Sequence, residues 1–284
     1  MEWIKAKNIL IVIFVMLNIF LAVTLINSYR GSDIPQSAID NTLKVLKQRG
    51  VAVDCELPLY NKQMGTLIYE NTGLDKEIIT KKFLGDNTKV SDAPDKGITQ
   101  GTMILTFKDE YSFTYENSEP KDSINKLSSS EEVEKYIKDK FKEIGIPISD
   151  FSFDRAAEDV NSGQKTYIYR QKYKECWIYK NEIALQLSTK GISSITCRYR
   201  QVNSITKGKK IIPAYQVLLK NFIGKNNITI NKVDIGYVEN VMEEGTKTLD
   251  DIPAWRVQIF DKDKGEYDEP FFKAYTGEML EKVE

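Results

Sequence analysis

Residues 9–26 near the N-terminus, ILIVIFVMLNIFLAVTLI, carry no charge, and only Asn18 and Thr24 among them are markedly polar. As an α-helix such a run extends about 27 Å, close to the thickness of a bilayer's hydrocarbon core. It predicts a transmembrane anchor over residues 9–28, with everything after Tyr29 reading as water-soluble protein. A cleaved secretory signal is the rival reading, but Asn27-Ser28-Tyr29-Arg30 offers no small-residue cleavage site. Lys5 and Lys7 precede the run against Glu2, whereas Arg30 and Asp33 after it nearly cancel. The positive-inside rule then places residues 1–8 in the cytoplasm and the bulk of the chain outside the cell.

Beyond the anchor about 250 residues remain, enough for one large or two small domains with real cores. Lys+Arg 40 against Asp+Glu 41 leaves a net charge of −1, without the basic excess of a nucleic-acid binder. The chain has no histidine. That removes Ser-His-Asp and Cys-His catalysis, the usual general base and most zinc sites. There is no Gly-rich phosphate loop, nucleophile elbow or HExxH motif either. The expectation is a protein that is not an enzyme, with no cofactor, metal or small-molecule substrate. Asp250, Asp251, Asp261 and Asp263 lack the spacing of a calcium loop and read as acids solvating strand ends. Of the three cysteines, Cys55 reads as a buried thiol on a strand face. Cys176 and Cys197 fall on strands of one meander, with a third strand counted between them that disfavours a bridge.

Taken in order, a helix is expected over residues 35–49, followed by a strand VAVDCEL and another at GTLIYE. Asp75 can cap a short helix KEIITKKFLG. Residues 86–97 read as a loop, and TMILTF and YSFTYE as a hairpin. Residues 117–126 are polar and contain Pro120, which suggests a boundary between residues 32–120 and residues 127–284. The second part opens on a capping box at Ser129 and Glu132, then a stripe of Val133, Ile137, Phe141 and Ile144. Strands ISDFSFD, KTYIYRQKY, ECWIYK, EIALQLS and ISSITCRYR follow. A helix starting at Pro213 presents Ala214, Val217, Leu218 and Phe222 on one face. The strands ITINKVDIGYVENV, AWRVQIF and FFKAYTGEML close the chain. Helices and strands do not alternate as βαβ units. The fold class is therefore α+β, with two antiparallel-sheet subdomains, each carrying packed helices, behind one membrane helix.

Arg198, Arg200, Lys207, Lys209 and Lys210 form a basic run around Tyr199. A solvated strand edge and loop is the preferred reading, contact with anionic lipid heads or wall polymers the other. Trp177 and Trp255 read as core or interface aromatics. Asn18 stands near the centre of the apolar run, where its amide has no water to bond. It is either a tolerated polar group facing lipid or a contact to a partner helix. In the second case Phe14 and Ala22, one turn away on the same side, share the contact.

The opening Glu2-Trp3 with Lys5 and Lys7, the run KNILIVIFVMLNIFLA, the helix leading into VAVDCELP and the closing AYTGE resemble the YycI (WalI) family. The resemblance covers the chain in length and layout, and its closing motif is shared with PepSY-like and YycH-like domains. It implies a single-pass envelope protein that associates with a YycH-like protein. It further implies modulation of a WalK (YycG) sensor histidine kinase in the two-component system that governs cell-wall metabolism, with no catalytic residues. The alternative is a PepSY-like extracytoplasmic inhibitor or chaperone of a secreted enzyme.

Overall fold

The computed structural model describes residues 2–30, 34–86, 88, 97–120, 130–158, 163–188, 190–241 and 247–281. The elements, in chain order, are α1 (Glu2–Arg30), α2 (Gln36–Gln48), β1 (Val51–Val53), β2 (Gln63–Met64), β3 (Leu67–Tyr69) and α3 (Lys76–Leu84). Next come β4 (Ile98–Gln100), β5 (Met103–Asp109), β6 (Ser112–Asn117), α4 (Ser130–Lys142) and a 3-10 turn at Ile148–Asp150. Then follow β7 (Phe151–Glu158), β8 (Lys165–Tyr173), β9 (Cys176–Ser188), β10 (Gly191–Arg198), β11 (Val202–Ile205) and β12 (Lys209–Lys210). The last are α5 (Ala214–Phe222), β13 (Ile228–Val241), β14 (Lys247–Asp261), β15 (Glu266–Asp268) and β16 (Phe271–Lys273).

The short helices form where the sequence places them, each for a local reason. In α2, Ile39, Thr42 and Leu46 are buried at helical spacing, and Gly50 beyond its end takes φ +82, a conformation that favours glycine. In α3 the Asp75 carboxylate accepts from the Ile78 N–H at 3.0 Å, and Ile79 and Phe83 face inward one turn apart. Val133, Ile137 and Phe141 of α4 are buried, as is Ile144 beyond it. The capping Ser129 lies outside the described residues. Pro213 stands at the N-cap of α5 rather than inside its first turn.

The sheet differs from the expectation. Instead of one sheet per half, fourteen strands form a single sheet, and a two-stranded ribbon of β12 with β2 stands apart. Strand β6 of the first half pairs with β10 of the second, and β3 pairs with β11 and β14. Most pairs are antiparallel, but β13 runs parallel to β1 and to the start of β9. The reason is general: period-2 patterning shows which face of a strand is buried. It does not show which distant strand will satisfy its edge N–H and C=O groups. Much of the loop expected over residues 86–97, and of the boundary over residues 117–126, lies outside the described residues.

Strand β9 joins the two parts of the molecule. Its expected break between ECWIYK and EIALQLS is a bulge within one continuous strand. Its pairing with β8 jumps from Gln171↔Ile178 to Arg170↔Glu182, leaving Tyr179, Lys180 and Asn181 between. Before the bulge β9 pairs with β13, and after it with β10, so the sheet forks there. The core divides accordingly. One cluster gathers Leu46, Val51, Leu67, Ile178, Leu218 and Trp255, with the Trp255 indole N–H donating to the Ile212 carbonyl at 3.0 Å. A second gathers Ile79, Leu105, Phe113, Ile137, Phe141 and Leu185, and a small third holds Tyr179, Val238 and Ala254. Cys176 belongs to the first cluster and Cys197 to the second, and all three cysteines are free thiols. The closing segment AYTGEML is a turn after β16, held by a bridge between Phe272 and Met279, not the end of a long strand.

Gly236 on β13 fixes the fork. A Cβ there would sit 2.4 Å from the Trp177 carbonyl oxygen and 2.6 Å from the Tyr179 ring. The first contact is with backbone, which cannot swing away. Gly236→Ala is therefore expected to cost about 1–3 kcal/mol in urea unfolding of the purified chain. Gly101→Ala serves as the control: it has the positive φ of 61 but nothing within 4 Å, and loses only the smaller backbone term.

Candidate interaction surface and charged seam

Helix α1 places the sequence-predicted trio together. Phe14, Asn18 and Ala22 are four residues apart, all exposed, on one side of the helix. The large apolar side chains from Leu10 to Leu21 are 49–71% exposed, so nothing among the described residues covers them. Among the described residues no helix is long and apolar enough to cross a membrane. The Asn18 amide donates to the Phe14 carbonyl one turn back, at 2.8 Å. That bond lowers the cost of the amide in an apolar medium. Its second N–H and its oxygen can still meet another helix.

The fork of the sheet carries two groups of buried charges that the sequence reading missed. In the first, Arg256 is fully buried and uses its guanidinium on two carboxylates at once. Its Nη1 and Nη2 meet Asp154 at 2.8 and 2.9 Å, while Nε and Nη2 meet Asp234 at 2.8 and 2.6 Å. Asp234 lies directly opposite Arg256 in the β13–β14 ladder, whereas Asp154 comes from β7, across the fork. Arg170 adds a 2.8 Å bond to Asp154 and contacts Glu182 at 3.1 Å. Glu269 accepts from Arg155 and from the Gln258 amide. Tyr179, from the bulge, donates to Asp234 at 2.7 Å, and the Arg256 guanidinium lies 4.8 Å from its ring centre. Arginine suits this place because its planar fork can satisfy two carboxylates together.

In the second group Arg200 and Asp251 are both buried, with Arg200 Nη2 at 2.8 and 3.0 Å from the two carboxylate oxygens. The Tyr69 hydroxyl donates to Asp251 at 2.7 Å, and the Arg200 guanidinium lies 4.1 Å from the Tyr69 ring centre. Arg198 binds Asp109 and Glu239. The bulge residue Asn181 staples the fork: its amide donates to Gln171 Oε1 and to the Arg200 carbonyl, each at 2.7 Å, and its oxygen accepts from the Arg200 N–H. Two sequence expectations are thereby corrected. Arg198 and Arg200 are not a solvated edge, and Asp251 does not solvate a strand end. Both corrections have one cause, namely partners more than forty residues away that neutralise a buried charge.

The two carboxylates respond to the seam in opposite ways. Burial alone would raise the Asp154 carboxyl, but hydrogen bonds and charge from Arg256, with Arg170 and Lys232, bring it down to about 2. Burial pushes Asp251 up, and the opposing pull of Arg200 and Tyr69 does not fully restore it. A depressed carboxyl stabilises the fold above its unfolded value and loses that stabilisation as pH falls through its folded value. Asp154 should thus contribute roughly 2–3 kcal/mol at neutral pH, lost between about pH 4 and pH 2. Urea midpoints across that range, compared with those of Asp154→Asn, check this: the variant should show a visibly shallower acid slope.

Chemically the seam binds and orients. Every carboxylate in it already has a cation, and among the described residues no group of histidine, cysteine and acids could hold a metal ion. Among the described residues, the apolar side chains of α1 from Leu10 to Leu21 are exposed, whereas Arg170, Arg200 and Arg256 of the seam are buried.

No curated protein sequence matches the chain. Among solved structures, the fold is similar to an uncharacterized protein from Eubacterium rectale ATCC 33656. The TM-score is 0.52 at 14% identity, over 86% of this chain and 99% of that one. YycH from Bacillus subtilis aligns with a TM-score of 0.46 at 12% identity, over 75% of this chain and 53% of that one. The C-terminal domain of Bacillus megaterium YpeB aligns at 0.40 and 12%, over 74% and 97%. In sequence, residues 30–275 match the YycI protein family. With all but the first helix and the last few residues inside that match, the chain belongs to the YycI family.

Proposed function

We propose that this protein is a membrane-anchored accessory regulator of a WalK (YycG)-type sensor histidine kinase, acting with a YycH-like protein in the control of cell-wall metabolism. Membership of the YycI family over residues 30–275 carries this reading. In it, α1 is the single-pass anchor, residues 1–8 are cytoplasmic and the forked sheet lies outside the cell. Regulation follows from differential contact. A partner helix and the outer domain bind one signalling state of the kinase better than the other, and the population shifts by that difference. Chemistry is not required.

The test is kinase output in vesicles. Full-length protein, co-reconstituted with the kinase, should change its autophosphorylation rate. The chain lacking residues 1–30 should lose most of that change. Equal effects of both chains would instead favour a soluble inhibitor or chaperone of the PepSY-like kind.

Asn18 refines the prediction. An interhelical hydrogen bond in a membrane contributes roughly 0.6–2 kcal/mol, and an amide already bonded to Phe14 belongs at the lower end. Asn18→Leu should insert normally yet weaken co-purification with the kinase or the YycH-like protein by about threefold. Changes at Phe14 and Ala22 should share the effect, and changes at Val12 and Ile19 should not. Association unchanged in Asn18→Leu would return the residue to a lipid-facing role.

A further inference from the structure

We infer that the β2–β12 ribbon rests on an anionic membrane surface, a contact that builds on the anchor reading above. The ribbon pairs Lys209 with Met64 and Lys210 with Gln63. Lys62, Lys207, Lys209 and Lys210 are all exposed on it or beside it, and among the described residues none of the four is in an ion pair. Along the sequence these lysines are not interspersed with acids. In a chain with 41 acidic residues, there is no Asp or Glu between Arg200 and Asp234, nor between Glu56 and Glu70. Leu59, three residues before Lys62, is 63% exposed, an apolar side chain beside the ribbon in sequence.

The chain's own connectivity aims this surface. Ile34 and Pro35 line a notch of about 330 Å³ together with Asn61, Lys210 and Tyr215. Ile34 is four residues after the end of α1, so the notch lies within about 14 Å of that end, the most that four extended residues can span. An anchor that leaves the bilayer at Arg30 thus tethers the notch, with Lys210 in its lining, less than two screening lengths from the headgroups, each length being about 8 Å in physiological salt. Lysine stems with cationic tips, and one protruding leucine, match an interface of phosphates over acyl chains. Arg198 and Arg200, the other members of the sequence's basic run, are spent in the seam and take no part.

The experiment uses the full chain in vesicles of phosphatidylcholine alone, or with three parts in ten phosphatidylglycerol. Flotation first establishes insertion. Lysine reactivity is then read by reductive methylation and mass spectrometry. Lys62, Lys207, Lys209 and Lys210 should react about three- to fivefold more slowly with phosphatidylglycerol present, and 0.5 M salt should remove the difference. Lys264, on the β14–β15 turn and 71% exposed, should not change. In Lys209→Glu/Lys210→Glu the protection of Lys62 and Lys207 should fall. Failure to float with either vesicle would overturn the anchor and this contact together. Normal flotation with equal lysine reactivity in both vesicles would overturn the contact alone. Protection that needs added polyglycerol phosphate, and is absent with phosphatidylglycerol, would overturn it in favour of a soluble polyanion.

Discussion

Arg256→Met is expected to destabilise the protein by about 3–5 kcal/mol, measured as the loss of unfolding free energy in urea at pH 7.5. The magnitude follows from what remains behind rather than from the contacts removed. Asp154 is fully buried and Asp234 partly so, and each loses a two-point partner. Arg170 stays on Asp154, while Asp234 keeps only the exposed Lys232 as a cation, at 3.5 Å. Arg256 is the main group that holds Asp154 down against burial, so in the variant burial should push that carboxyl up, and lowering the pH to 5 should recover part of the loss. Because Asp154 and Arg256 come from opposite sides of the fork, the variant should also loosen the union of the two larger core clusters. Amide exchange should accelerate first in β7 and in the first strands of the fork.

Arg200→Met should cost about 3 kcal/mol or more at pH 7.5, a loss that shrinks further in mild acid because Asp251 is raised even in the native protein. Asp251 already sits above the usual carboxylate range through burial, and removing Arg200 raises it further. A carboxyl raised in the folded state binds its proton more tightly there than in the unfolded chain. Stability therefore increases as pH falls toward that raised value. Urea midpoints of the variant at pH 7.5 and pH 5 should converge on those of the wild type. Protonated Asp251 keeps its bond from Tyr69, so the neutral acid is a tolerable occupant of the site. Parallel loss at both pH values would mean that Glu239, not Asp251, carries the charge that Arg200 balances.

These two arginines show where sequence reading reached its limit. Local signals served well: the Asp75 cap, the 133–137–141–144 stripe and the inward face of α5 all stand where the spacing puts them. Each depends only on neighbours within one or two turns. Strand partners do not, and so the two expected sheets are one, with β6 joined to β10 and β3 to β14. Burial of charge is equally non-local. Arg256 alternates with Trp255 and Val257 and reads as a solvent-facing position, but its face of the sheet is closed by Asp154 and Glu269. One signal was available: a hairpin joining ITINKVDIGYVENV to AWRVQIF puts Asp234 opposite Arg256, a charged pair beside an inward tryptophan. The first helix is the reverse case. Its apolar run is plain in the sequence, and among the described residues nothing covers it from Leu10 to Leu21.

Co-purification from membranes tests the central claim most directly. The full-length protein, tagged at its C-terminus and solubilised mildly from cells of its own host, should bring with it a sensor histidine kinase and a YycH-like protein. Both should be depleted when residues 1–30 are replaced by an unrelated single-pass helix of the same orientation. Recovery of a secreted enzyme as the main companion, or full retention of the kinase by the chain with the foreign helix, would contradict regulation through α1.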